Sequence, residues 1–423
     1  MVPIKILFDA TVLFSGRNKS PDRTGIYWVA KNILDQFLLN DNYQVTLYST
    51  KFTIRRLPYI LPIIIDYNEQ KYKYNINVHK EQMKEENIFL IIFRYLQIIK
   101  NLIYILIIKS LKIISRVYNI NNYDAFISPV YSIPDFVSSN KTIKIFHILH
   151  DCIPVLENIP SVKIDNCYWF LELQKNLNNN TYYFCVSENT KNDFLRIASD
   201  KLNKEKMHVT PIAPSKLLIP NYKKDQLKNV LKKYGYTYNE NNNYLLSLCT
   251  IDPRKNISFT VKCFFEFIKK NNINNMIYFL AGGYFENYYK IFLSETTNYD
   301  ESKNKVIYLG YIDDEDINIL YSNSLFFIYL SQYEGFGLPP LEAMQAGTPV
   351  ICSNNSSLPE VVGDAAIKIP HDNEKLCIEA MEKLYFNEKL RKEYISKGIE
   401  RAKLFSWEKT FEKMNKIILN ICR

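Results

Sequence analysis

The sequence predicts an α/β protein built of two doubly wound, parallel-sheet domains. Three observations lead there. Short, continuously apolar runs recur along the 423 residues, as expected of strands covered by helices on both faces. Longer helix-like stretches separate these runs, the alternation that produces parallel sheets. The series also occurs twice, once on each side of a segment rich in Lys and Asn.

The first series has apolar runs at residues 4–8, 45–48, 125–128, 143–149 and 182–186. The second has them at residues 244–248, 276–281, 306–309, 325–330 and 349–352. Residues 257–270 and 340–346 are among the helix-like stretches between them. Residues 213–243, with Pro214 and Pro220 near the start, are expected to be a linker. The boundary falls near residue 215, giving a first domain of residues 1–215 and a second of residues 216–400. Such sheets bind ligands beyond the carboxyl ends of their strands, so two of them would leave a cleft there.

Composition sets the limits. The apolar fraction is 47% and the charged fraction 23%, enough to bury two ordinary cores. A formal charge of +9 fits anionic substrates such as nucleoside diphosphates, or phospholipid head groups. There is no zinc-finger, RNP or basic-helix pattern, so nucleic acid is not an expected partner. The eight cysteines are scattered without a C-x-x-C pair. They are expected to be buried free thiols in a reducing compartment, with neither metal site nor disulfide framework. Residues 1–9 are expected to form a first strand, not a signal peptide, which places the protein in the cytoplasm.

Residues 88–108 are strongly apolar but contain Arg94, Gln97, Lys100 and Asn101, and Lys109, Lys112 and Arg116 follow. Two full charges argue against a membrane-crossing helix. Arg94, Gln97 and Asn101 share one helical face, leaving an apolar face with basic flanks. Residues 88–116 are therefore expected to lie peripherally on an anionic membrane, the alternative being core helices of the first domain.

Four segments carry chemistry. Glu334-Gly335-Phe336-Gly337-Leu338-Pro339-Pro340-Leu341-Glu342 leaves a strand and opens a helix. Its glycines allow close backbone approach, and free amides at a helix start favour phosphate. Glu334 on the loop and Glu342 within the helix can accept hydrogen bonds from the hydroxyls of a sugar and a ribose. Asp252-Pro253-Arg254-Lys255-Asn256 follows the first strand of the second domain. Its adjacent cations can clasp a diphosphate and stabilise charge growing on a leaving group. His147-Ile148-Leu149-His150-Asp151 ends a first-domain strand. His150 is expected to open into the cleft and His147 to be a satisfied core residue. Gly25 sits in a turn after the first strand, where a glycine permits approach to a ligand. Asp313-Asp314-Glu315-Asp316 is expected to start a helix, with Asp313 as its cap, instead of holding a metal.

Together these motifs resemble retaining glycosyltransferase family 4, of the GT-B fold. Residues 309–312 and 320–321, the stretch from Gly347-Thr348-Pro349-Val350 to Leu358-Pro359-Glu360-Val361, Ser187-Glu188-Asn189-Thr190-Lys191 and Phe405-Ser406-Trp407 add to the likeness. The resemblance implies a final helix, residues 401–423, that crosses back to the first domain. It implies a nucleotide-sugar donor whose diphosphate meets Arg254 and Lys255, with Glu334 on the donor sugar and Glu342 on the ribose. Gly335, Phe336, Gly337 and Leu338 would line the donor, with backbone amides around Gly337 and Leu338 assisting. Gly25 would approach the phosphates and His150 the reacting sugar. No metal or other cofactor is implied. The Thr-Gly-Ile loop, His-Asp-x-Ile-Pro and Asp-Pro-Arg-Lys-Asn look most like mannosyltransferases of bacterial surface polysaccharides. That points to GDP-mannose and a glycan or lipid-linked acceptor, with other GDP- and UDP-sugars open. Three rivals remain: a phosphorylase of the same fold using pyridoxal phosphate, a sugar-nucleotide-binding protein without activity, and a nucleotide-sugar epimerase. The chain departs from the pattern at Cys249, where glycine is common, at Leu330, where proline is, and after Gly25, where a second glycine and an arginine are missing.

Overall fold

The computed structural model describes residues 2–15, 25–49, 63–66, 120–156, 159, 168–284, 286–296 and 305–423. The first sheet holds β1 (Ile4–Asp9), β2 (Tyr43–Ser49), β3 (Ile63–Asp66), β4 (Ala125–Ser128), β5 (Lys144–Leu149), β6 (Tyr182–Cys185) and β7 (Met207–Val209). Their order is β3-β2-β1-β4-β5-β6-β7, parallel throughout except for β3, which runs antiparallel to β2. The second sheet holds β8 (Asn243–Leu248), β9 (Met276–Ala281), β10 (Val306–Gly310), β11 (Phe326–Tyr329), β12 (Val350–Ser353) and β13 (Ile367–Ile369). It is parallel in the order β10-β9-β8-β11-β12-β13.

The central strands are apolar because both of their faces are covered. β9 and β11 are buried at every position. Alternate residues serve opposite layers: Tyr244, Leu246, Phe327 and Tyr329 belong to one core, and Leu245, Phe326 and Ile328 to the other. Strand order reverses between β1 and β4, and again between β8 and β11. These are the positions where a doubly wound sheet opens a crevice at its carboxyl edge.

All ten apolar runs appear as strands, within a residue or two at their ends. β3, β7 and β13 were not expected. They are edge strands of 4, 3 and 3 residues, and β7 and β13 are too short to show a run. Residues 213–243 are more than a linker. The helix Lys224–Lys233 lies among them and buries Leu227 and Leu231 in the second domain's core. Its lysines hide the four-residue apolar spacing that makes it amphipathic. Residues 88–116 fall outside the described residues. Among the described residues, no helix is long and apolar enough to cross a membrane. The described cysteines are free, and Cys152, Cys185, Cys263, Cys352 and Cys377 are buried.

The helix Trp407–Cys422 follows the second sheet in sequence but packs on the first domain. Ser406 caps it by accepting from the Lys409 amide. Its apolar face meets the helix Gly25–Leu38, with the Phe411 ring edge-on to Phe37 at 5.0 Å. Met414 and Ile418 are fully buried beside it. Tyr43 donates a 2.5 Å hydrogen bond to Asn415, and the Thr410 hydroxyl donates to the Pro211 carbonyl at 2.6 Å. Phe411→Ala is expected to cost about 3–5 kcal/mol, the usual range for emptying an aromatic core position. A fall in the urea midpoint by the corresponding amount checks this.

Candidate functional site

The segments leaving β8 and β11 meet at the switch point of the second sheet. After β8, Pro253–Lys255 forms one tight turn. Asp252 Oδ1 accepts from the Arg254 amide at 2.8 Å and starts the turn. Asn256 ends it in a left-handed conformation, φ 58°, which asparagine tolerates better than most residues. The helix Ile257–Lys270 then begins. The turn thus presents two successive cations towards β11.

Glu334, on the loop after β11, receives both of them. Lys255 Nζ lies 2.5 Å from Glu334 Oε1 and Arg254 Nη1 lies 2.9 Å from it. The Tyr329 hydroxyl donates to the same oxygen at 2.9 Å, and Lys255 Nζ donates to Tyr329 Oη at 2.6 Å. Arg254 also donates to the Tyr333 carbonyl. Glu334 is only 8% exposed. Burial alone would raise its pKa, but the Lys255 and Arg254 charges prevail and hold it down at about 2. The carboxylate is therefore ionised across the physiological range and neutralises part of the charge its two partners bring.

The backbone of this loop is fastened from two sides. Within the second domain, the Glu334 amide donates to Ser356 Oγ at 3.0 Å. The Ser357 hydroxyl lies 2.9 Å from the Glu334 carbonyl and 2.7 Å from that of Phe336. From the first domain, the hydroxyls of Ser187 and Thr190 both donate to the Gly335 carbonyl, at 2.6 and 3.0 Å. Thr190 also reaches the His150 carbonyl at 3.0 Å. Tyr333 donates to Asp193 at 2.6 Å. Glu360 accepts from the amides of Glu188 and Asn189, both at 3.0 Å, so a second-domain carboxylate caps a first-domain helix, Glu188–Ile197.

Close approach explains both glycines, but the approach is to protein. A Cβ on Gly335 would lie 2.3 Å from the His150 carbonyl oxygen and 2.7 Å from Asp151 Cβ. Gly337 has φ 110°, and a Cβ there would meet Leu358 at 2.6 Å. Gly337 precedes the helix Leu338–Gln345 without a side-chain cap, and since Pro339 and Pro340 have no N–H, the amides offered there are those of Gly337 and Leu338. The Phe336 side chain does not face the cleft. It is buried in the core shared with Val361 and Trp407, edge-on to Phe405 at 5.9 Å. Leu338 packs at the margin of that core. Gly25 begins the helix Gly25–Leu38, and the nearest described atom to a Cβ there is Leu338 Cδ1 at 3.8 Å. Space does not require glycine at that position, but it does lie opposite the loop carrying Gly337.

His150 lies part-buried beside Gly335, across the domain junction from Glu334. Its Nε2 is 2.7 Å from the Pro129 carbonyl. A carbonyl only accepts, so Nε2 carries the proton and Nδ1 is left as an acceptor. Burial lowers its pKa below the usual 6.5, against the hydrogen bond to Pro129 and the Asp151 charge, which raise it. His147 is 2% exposed with Nε2 3.3 Å from the Val130 carbonyl, and burial takes its pKa to about 4. It is the satisfied core histidine the sequence implies.

Glu342 sits a little over one turn into the helix Leu338–Gln345, with the Tyr321 hydroxyl donating to Oε2 at 3.1 Å. Burial raises its pKa from 4.5 to about 7, against the Tyr321 bond and with help from Asp314. The acidic run Asp313–Asp316 starts the helix Asp314–Asn323, but the Asp313 side chain makes no capping bond. It goes instead to Lys233, whose Nζ lies 2.7 Å from Asp313 and 2.6 Å from Asp316. Carboxylate oxygens of Asp313, Glu315 and Asp316 come within 4.8 Å of one another, and the Lys233 ammonium already bridges two of them.

The sequence reading missed Tyr329, Ser356, Ser357, Asp193 and, as an interdomain cap, Glu360. Tyr329 lies inside an apolar run and reads there as a strand aromatic. The serines had a findable signal, since Asn355-Ser356-Ser357 immediately precedes the Leu358-Pro359 helix start.

Two tests follow from this geometry. Gly335→Ala is expected to force the two domains' backbones apart and cost about 1–3 kcal/mol. Gly283→Ala, where a Cβ meets nothing within 4 Å, should stay within about 0.5 kcal/mol. Urea titration of the pair compares them. The folded Glu342 carboxyl keeps its proton between about 4.5 and about 7, while the unfolded chain gives it up. Stability therefore falls as pH rises through that window. Glu342→Gln should flatten this part of the slope, read from urea midpoints at the two ends of the window.

The family model described as Glycosyl transferases group 1 matches residues 232–401. The chain is 31% identical over 242 residues to O-antigen chain mannosyltransferase B of Escherichia coli, covering 57% of this chain and 61% of that one. It is 28% identical over 231 residues to the serotype-specific mannosyltransferase WbdA of Escherichia coli, covering 54% and 27%. It is 29% identical over 181 residues to O-antigen chain mannosyltransferase RfbU of Salmonella typhimurium, covering 43% and 47%. The matches thus span from about a quarter to about six-tenths of these relatives' lengths. Among solved structures, sucrose-phosphate synthase from Thermosynechococcus elongatus superposes with a TM-score of 0.67 at 17% identity, covering 99% of both chains. WaaG, a glycosyltransferase involved in lipopolysaccharide biosynthesis, superposes with a TM-score of 0.62 at 14% identity, covering 98% of this chain and 99% of that one. The architecture is that of GT-B glycosyltransferases, and residues 232–401 match the glycosyl transferases group 1 model.

Proposed function

We propose that the protein is a retaining glycosyltransferase. It would move a hexose, in the first instance mannose from GDP-mannose, to a growing surface-polysaccharide or lipid-linked glycan. The observation that carries this reading is the buried Arg254–Lys255–Glu334 cluster at the switch point of the second sheet. The three relatives, each a mannosyltransferase by name, support the choice of sugar.

In this reading the donor's diphosphate takes its place at Arg254 and Lys255, with the free amides at Gly337 and Leu338 beside it. Glu342 accepts from the ribose and Glu334 from the donor sugar. His150 faces the sugar from the first domain, and Gly25 lies on that side of the diphosphate. The acceptor oxygen bonds to the anomeric carbon as the bond from that carbon to the diphosphate oxygen breaks. The electron pair stays on the departing phosphate, which takes the acceptor's proton. Delivery on the face the phosphate leaves retains configuration. Arg254 and Lys255 stabilise the charge that grows on the leaving group, so the reading needs no metal. It places the reaction in the cytoplasm, with the enzyme peripheral to the membrane.

A cation that acts mainly in the transition state contributes to turnover more than to donor affinity. Lys255→Ala is expected to lower kcat by about 10²–10³-fold with a smaller change in KM for GDP-mannose, measured on a lipid-linked glycan acceptor. Unchanged kcat would remove Lys255 from the chemistry. A thermal shift with GDP-mannose but neither transfer nor donor hydrolysis would favour a binding protein.

A further inference from the structure

A second concentration of positive charge lies outside the cleft. A cavity of about 340 Å³ opens between β7, the helix Glu188–Ile197 and the C-terminal helix Trp407–Cys422. Lys191, Lys413, Lys416 and His208 line it, together with apolar side chains including Met207 and Ile417.

These charges differ in arrangement from helical lysines that meet a carboxylate three or four residues away, such as Lys31–Asp35, Lys175–Glu172 and Lys397–Glu393. Lys413 and Lys416 are three residues apart on one helix, a spacing that sets like charges side by side and costs stability. Lys191 approaches from another helix. Among the described residues, no carboxylate pairs with any of the three, and none lines the cavity. Burial, and then the Lys191 charge, lowers the His208 pKa below 6.5, so near neutral pH the ring is an uncharged N–H donor. Three ammonium groups and an imidazole donor around one open cavity form an anion-binding constellation. The apolar side chains beside them suit a ligand that carries more than its charge.

We infer that this cavity binds a phosphate-bearing anion, the chemistry shared by a lipid head group and a soluble phosphate compound. The site is separate from the cluster at Glu334 and does not depend on the transfer reaction proposed for it. It lies close to the domain junction, since Lys191 follows by one turn the residues Ser187, Glu188 and Asn189 that bond to the second domain.

The test uses the full chain, the variant K191Q/K413Q/K416Q, and a charge-matched control, K375Q/K383Q/K389Q, whose lysines are exposed on the second domain. One arm titrates inorganic pyrophosphate calorimetrically. The other sediments the protein with vesicles of phosphatidylglycerol and phosphatidylcholine, against phosphatidylcholine alone. Equal melting temperatures verify that all three are folded. The wild type and control are expected to bind in at least one arm, and the cavity variant about tenfold or more weakly. Loss of one pyrophosphate per chain identifies a soluble phosphate ligand. Loss confined to anionic vesicles identifies a lipid head group. The proposal is overturned if the cavity variant matches wild type in both arms, if the control loses as much, or if the wild type binds neither probe.

Discussion

Glu334 keeps a full negative charge in a place where water hardly reaches it. Removing a carboxylate from water costs several kcal/mol even after the protein relaxes, so its position is tenable only with partners already in place. Lys255, Arg254 and Tyr329 provide them, and all three come from two strands that are not neighbours in sequence. β8 and β11 lie side by side because the sheet reverses direction there, with Phe326 level with Leu245. Their carboxyl ends therefore release the turn at Arg254 and the loop at Glu334 next to each other. The charge cluster is thus a product of strand order. A sheet wound in one direction would put crossover helices between these loops.

The residue after Glu334 faces a different demand. Gly335 sits against the His150 carbonyl, and its own carbonyl takes two hydroxyl donors from the first domain. Phe336 then turns into the core that the final helix shares with the first sheet. Three successive residues accordingly serve ion pairing, domain contact and apolar packing. The final helix adds a covalent tie, because the chain returns to the first domain after completing the second. The contact between domains is therefore specified by hydrogen bonds at one point and apolar burial at another, with Glu360 capping a helix across the junction.

Much of this was legible in the sequence because its signals are local. A strand buried on both faces is a run of apolar residues, and ten of them could be counted. Arg254, Lys255, Glu334 and Glu342 stand in compact motifs whose residue types state their chemistry. What escaped depends on long-range placement. Tyr329 alternates with its strand neighbours as any core aromatic would, and its role appears only once Lys255 and Glu334 flank its hydroxyl. Asp193 and Glu360 are ordinary helix residues until the domains meet. β7 and β13 have too few residues to carry a pattern. The glycines were visible as places of close approach, but what approaches Gly335 is a carbonyl of the other domain.

Charge and contact cannot be separated along this loop. Arg254 holds the Glu334 carboxylate and also the carbonyl of Tyr333, and the Tyr333 hydroxyl is bonded to Asp193 of the first domain. A route of direct contacts thus runs from the buried cations to the opposite domain through a single side chain. Any anion that draws Arg254 towards itself competes with the Tyr333 carbonyl as well as with Glu334. The geometry on the far side of the cleft is then felt at the cations, because packed interiors yield little without a neighbour moving too. In the proposed reading, this is the physical reason for placing a diphosphate-type site on a loop clamped at both ends. The clamps fix the two cations in place, and they give the first domain a way to register any anion that meets them.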